Sequence, residues 1–279
     1  MSVPILAALG AILLWGTLAA LGASLGHLPP FLLTGLALAI GSLPGLARVR
    51  TWKVPASTLA LGVSGLFGFH FLLFMALRLA PPVEANLVNY LCPLLIVLLT
   101  PVRLPGWRLE RRHVVAAGIG FLGAAIAIGA SPSPVDMRAA TGFVLAACSA
   151  STWAVFSLAV RRVAPFPSWA IGGFAATSDA LALACHALFE PRAEIAGGDW
   201  ARLVALGLGP MGAAFYLWDY AIKRGDPRVI GTLAYATPVL STAVLALATG
   251  RSWSWSLGLA TLLVAGGAAI ALRSGGRRG

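Results

Sequence analysis

The chain has 279 residues, of which 59% are hydrophobic and only 10% charged, with a formal net charge of +11 and a mean hydropathy of +0.88. A soluble domain carries roughly 25% charged residues, so this composition excludes a globule in water and points to an integral membrane protein. The basic excess is scattered singly or in pairs between apolar runs, with no Lys/Arg stripe interleaved with aromatics, which argues against nucleic acid and leaves the lipid bilayer as the partner.

The apolar runs set the predicted elements. No Asp, Glu, Lys or Arg occurs from Met1 to Ala47, and further charge-free windows fill 54–77, 85–102, 113–135, 139–160, 229–250 and 252–272. Most reach the ~18 residues that cross ~30 Å of hydrocarbon as a helix. Helix is required, because an open strand would leave backbone groups unpaired in lipid. Breaking the chain at charges and Pro/Gly clusters predicts ten helices, near 3–26, 30–47, 54–79, 82–101, 113–130, 139–162, 166–189, 201–223, 227–249 and 253–273. The seventh and eighth are interrupted by Asp179 and Asp219. The first run is too long for a signal peptide and has no basic leader, so the first helix is retained. Cys92, Cys148 and Cys185 fall near span middles, an odd number that argues against a disulfide framework.

Of the 20 Lys and Arg residues, Arg78, Arg138, Arg192, Arg202 and Arg251 fall on one side of this predicted bundle and the rest on the side of the N-terminus. That bias puts both termini in the cytoplasm.

The fourth and ninth spans echo each other. "PPVEANLVNYLCPLL" (81–95) aligns with "DPRVIGTLAYATPVL" (226–240) at a constant offset of 145, with Pro82 on Pro227, Tyr90 on Tyr235 and Pro93 on Pro238. Trp15 and Trp153 match in the first and sixth spans, and "GAAIAI" (123–128) returns as "GAAIAL" (267–272). Two repeats of five spans follow, at 1–133 and 134–279. An odd number of spans makes the second repeat enter the membrane from the opposite face, the inverted architecture of secondary transporters. The repeated prolines, Pro93 and Pro238, are read as helix kinks that serve gating.

With paired Trp in the first and sixth helices, "NYLCPLL" in the fourth and "AYATPVL" in the ninth, the chain resembles the EamA-like drug/metabolite transporter superfamily. Within it, "NLVNYLCP" and "ATPVLSTAV" are most similar to the YddG-type amino-acid exporters of Gram-negative inner membranes. The resemblance implies an all-α fold of ten transmembrane helices in two inverted repeats. It also implies alternating access and export of amino acids, aromatic and other neutral ones. Cys92 stands before Pro93 where an aromatic ring is expected in exporters of aromatic amino acids. The smaller thiol enlarges one wall of the site.

Helical spacing nominates the lining residues. Asn86, Asn89, Tyr90 and Pro93 stand at i, i+3, i+4 and i+7, a polar stripe that faces either another helix or a water-filled cavity. His70 shares a face with Phe67, Phe71 and Phe74 and reads either as a packed histidine or as a substrate contact. Trp15 and Trp153 are mid-span, unlike interfacial Trp. Trp153 reads as a stacking or cation–π wall, Trp15 as wall or packing, and Tyr235 takes Tyr90's reading on the opposite half.

Asp179, near mid-span, is the candidate coupling carboxylate, whereas Asp219 reads as an ion pair with Lys223. His27, His70, His113 and His186 lie on four segments without ligand spacing, so no metal is expected, nor any cofactor. "GIGFLG" (118–123) mimics a dinucleotide fingerprint without its strand. There Gly118, Gly120 and Gly123 let helices approach, as do the glycines of "GASLG" and "GSLPG". No nucleophile–base pair is present, so enzyme activity is not expected. The remaining readings are a monomer or weak dimer that carries a small-molecule substrate without proton coupling, a proton-coupled efflux protein for drugs or organic cations, and a non-transporting membrane partner.

Overall fold

The computed structural model describes residues 2–103, 111–129, 135–224, 233 and 236–273, which are all-helical and contain no strand. Among the described residues, five helices are long and apolar enough to cross a membrane: Val3–Ser24, Ala56–Leu79, Met137–Ala159, Ala170–Phe189 and Gly197–Ala221. Shorter apolar helices cover Pro30–Leu46, Val114–Ala127, Ala236–Ala248 and Trp255–Gly267.

In chain order the elements are α1 (Val3–Ser24), α2 (Pro30–Leu46), α3 (Ala56–Leu79), α4 (Pro82–Asn89), α5 (Cys92–Arg103) and α6 (Arg111–Gly129). There follow α7 (Met137–Ala159), α8 (Ala170–Phe189), α9 (Gly197–Leu208, continuing through Ala214–Arg224), α10 (Ala236–Ala248) and α11 (Trp255–Arg273). Prolines open α2 and α4, where a missing N–H costs nothing. Asp136 caps α7 by accepting from the Ala139 N–H at 2.7 Å. The N-terminus of α2 is capped from a distance. The Glu190 carboxylate accepts from the Phe31 and Leu32 N–H groups at 2.9 and 3.2 Å, and His186 Nδ1 lies 2.9 Å from the same carboxylate.

Two departures from helical regularity matter for function. The segment expected as one helix over 82–101 is two helices, because the chain turns at Tyr90 and Leu91 before α5 begins at Cys92. Pro93, which lacks an N–H, is the second residue of α5, so the interruption falls in the turn just before it. Elsewhere α3 carries a π-helical turn at Ser64–Gly68 and α9 another at Gly209–Ala213. These turns stand 145 residues apart, the same offset that aligns Pro82 with Pro227.

The packing follows that repetition. α2 lies along α8 and α6 along α11, while α7 packs on α3 and α5, and α1 packs on α9 and α10. Each repeat therefore sends its first helix into the other. Without a hydrophobic force between helices in lipid, close approach through small residues holds such pairs together. A methyl group on Gly45 would meet the Gly172 Cα at 2.9 Å, and one on Gly123 the Ala260 carbonyl at 2.9 Å. Gly118, expected to serve the same purpose, has open space where a side chain would stand.

Candidate substrate site

The two π turns aim the residues that follow them at the centre of the bundle. After Ser64–Gly68 comes His70, fully buried, and at the equivalent position after Gly209–Ala213 comes Phe215, 9% exposed. Their rings meet edge to face, with centroids 5.9 Å apart. A π turn widens the helix and shifts its i→i−4 pairing, and a carbonyl there has a second lone pair for a side-chain donor. His70 uses one: its Nδ1 lies 2.7 Å from the Leu66 carbonyl, so Nδ1 carries the proton and donates. Nε2 is then the acceptor of the neutral ring. It is buried among Phe69, Phe74 and Phe215, with no hydrogen-bond partner among the described residues.

Trp15 and Trp153 reach the same ring. Phe215 lies 5.6 Å from Trp15 and 6.0 Å from Trp153, and Trp153 also touches Phe69 at 5.1 Å. Trp218 also meets Trp15, with ring centroids 5.2 Å apart and planes tilted by 56°. Such ring pairs contribute about 0.5–1.5 kcal/mol each beyond their buried area. Ser149, one helical turn before Trp153, donates to the Phe69 carbonyl at 3.0 Å and ties α7 to α3. Ser157 donates to the Trp153 carbonyl at 2.7 Å.

The polar stripe of α4 faces α10. Asn86, 2% exposed, donates from Nδ2 to Ser241 Oγ at 3.1 Å, and the Tyr90 hydroxyl shares the same serine. Asn86 is thus an interhelical tie. Asn89, 4% exposed, differs: its Oδ1 is buried without a partner among the described residues, as is Thr242 Oγ1 on α10. Cys92 is a free, half-buried thiol at the start of α5, and Pro238 is buried in the first turn of α10. Tyr235 lies outside the described residues.

Asp179 stands apart from this cluster, on the helix that packs along α2, with Oδ1 buried and without a hydrogen-bond partner among the described residues. Asp219 accepts a hydrogen bond from Ser168. The side chain of Lys223, its expected partner, lies outside the described residues. No group of three or more His, Cys, Asp or Glu among the described residues is placed to hold a metal ion.

The residue that sequence reading missed is Phe215, where Trp15, His70 and Trp153 converge. Its signal was present: applied to His70, the offset of 145 lands on it. At this paired position only the first repeat carries a polar residue, and an apolar Phe in an apolar span draws no attention.

The EamA-like transporter family model matches residues 2–129 and again 140–273. The aromatic amino acid exporter YddG of Ancylobacter novellus is 46% identical over 270 residues, 94% of either chain. A probable amino-acid metabolite efflux pump of Salmonella typhimurium is 25% identical over 58% of this chain and 55% of its own length. A solved crystal structure matches over 96% of each chain, at 45% identity and a TM-score of 0.76.

Proposed function

This chain belongs to the EamA-like transporter family, and from that membership and the geometry above we propose that it exports amino acids and related small metabolites, aromatic and other neutral ones, across a bacterial inner membrane. Ten membrane-crossing helices in two inverted five-helix repeats, 1–133 and 134–279, form one transport unit with both termini cytoplasmic. The observation that carries the reading is the cluster of Trp15, His70 and Trp153 around Phe215, to which both repeats contribute. Ring faces attract a cation, and two open polar atoms, His70 Nε2 and Asn89 Oδ1, are acceptors. An ammonium group on an apolar body suits that set. Tyr90 and Cys92 complete the walls.

No bond is made or broken, so the mechanism is a difference in affinity between two conformations, each open to one side of the membrane. The turn at Tyr90–Leu91 divides the fourth span into two rigid pieces that swing about it. Export is facilitative, driven by the substrate's own gradient. The test is flux from proteoliposomes loaded with labelled phenylalanine, leucine, threonine or lysine, with and without a pH gradient. Saturable flux of the neutral substrates, indifferent to pH, is the expected result. Flux absent for all four would overturn the reading.

Asp179 Oδ1, buried without a hydrogen-bond partner among the described residues, favours a second reading, proton-coupled efflux of organic cations. In the same vesicles that reading requires flux driven only by the gradient and abolished in Asp179→Asn.

A further inference from the structure

The end of the bundle where α4 begins and α10 ends holds an ion pair between a buried carboxylate and a partly exposed guanidinium, and it belongs to no part of the aromatic site. Glu84, in the first turn of α4, is 2% exposed, and its Oε1 accepts from Arg251 Nη2 at 3.3 Å across 167 residues of chain. Arg251 is aimed by backbone geometry. α10 closes in a Schellman cap: Gly250 takes φ +65°, the one positive φ among the described residues, and the Arg251 N–H bonds the Ala246 carbonyl at 2.9 Å. A side chain at position 250 would be strained, so the glycine is what turns the guanidinium back over α4. Beside the pair lies a cavity of about 350 Å³ bounded by Pro81, Pro82, Thr249 and Ser252. Below it Asn86 and Tyr90 meet Ser241, so one face of α4 is fastened to α10 from its first turn down to the substrate site.

We propose that Glu84 and Arg251 form the periplasmic exit gate and its release subsite, and that the departing ligand is a zwitterion. This rests on the export reading and on the orientation that places Arg251 outside. A buried carboxylate stripped of its partner is strongly penalised, so the pair resists simple separation. An amino acid leaving the site carries both replacement charges: its ammonium takes Glu84 and its carboxylate takes Arg251, each in a charge-assisted hydrogen bond. The gate opens by exchange of partners, and a neutral or singly charged molecule makes only half of that exchange.

The test uses intact cells producing the chain with Cys148→Ser and Cys185→Ser. That leaves Cys92, below the gate, as reporter for a membrane-impermeant maleimide added outside. Glu84→Gln and Arg251→Gln are each expected to raise labelling at least about fivefold by shifting the population toward the open gate. The charge-swapped double variant, Glu84→Arg with Arg251→Glu, is expected to return it toward the parent level. Unchanged labelling in both single variants, with normal elution of the purified proteins, would overturn the gate.

External phenylalanine is expected to raise labelling in the parent, whereas phenethylamine and phenyllactate, each lacking one charge, are not. Three ligands acting alike would overturn the zwitterion. If vesicles carry no amino acid while labelling still follows Glu84 and Arg251, the export reading falls and the gate remains.

Discussion

His70 and Phe215 occupy the same place in the two repeats, each just after a π turn, and their rings touch. One is a polar ring with a buried open acceptor, the other a plain hydrocarbon ring. The contrast continues along the fourth and ninth spans, where Glu84, Asn86 and Asn89 align with Val229, Gly231 and Ala234. Duplication kept the frame, with its π turns, prolines and exchanged first helices, while the chemistry went to one side. The first repeat supplies the acceptors His70 Nε2 and Asn89 Oδ1, and both repeats supply aromatic surface, Trp15 and Phe69 from one and Trp153 and Phe215 from the other, an arrangement that suits a ligand with a charged head and an apolar body.

Removing the shared aromatic surface is the most severe way to break this division. Trp153→Ala and Phe215→Ala are each expected to lower phenylalanine efflux at least about tenfold, the loss of one stacked or cation–π contact of ~1.4 kcal/mol or more. Efflux rates in proteoliposomes measure it, and a normal melting curve separates loss of the site from loss of the fold. His70→Phe makes the two repeats alike. Phe fits among the surrounding rings, so the protein is expected to stay folded while the half-saturating phenylalanine concentration rises about tenfold for one lost hydrogen bond to a charge. Retained affinity would mean that Nε2 is only packing.

Asn86→Ala cuts the tie to Ser241, worth about 0.6 kcal/mol between membrane helices, and a fall of a degree or two in melting temperature is expected with efflux retained. Asp179→Asn, in the region that the comparison leaves out, is expected to change neither the rate nor its indifference to a pH gradient.

Much of this frame was legible in residue order. α1, α2 and α8 end within three residues of their expected limits, because a run without charges and a Pro or Gly boundary are one-dimensional signals. α9 begins earlier than expected, at Gly197, since Asp199 marks a first turn rather than a loop. There it is held by His27 at 2.9 Å and Arg202 at 3.1 Å. Pro93 marked the place of the break at Tyr90–Leu91, though not that the span divides into two helices, and the π turns had no signal in residue order. Partners distant in sequence were equally hidden: nothing local to Asn86 names Ser241, and nothing near Asp219 names Ser168. Of the site, the residues with a polar or indole tag were found, and Phe215, which has neither, was not.

The most direct measurement is equilibrium binding of labelled phenylalanine to purified protein in detergent, for the parent, Phe215→Ala, Trp153→Ala and His70→Phe. The expected result is one saturable site in the parent, weakened in all three variants without a change in melting temperature large enough to explain it. Equal affinity in all four proteins would contradict a site shared between the repeats at this aromatic centre.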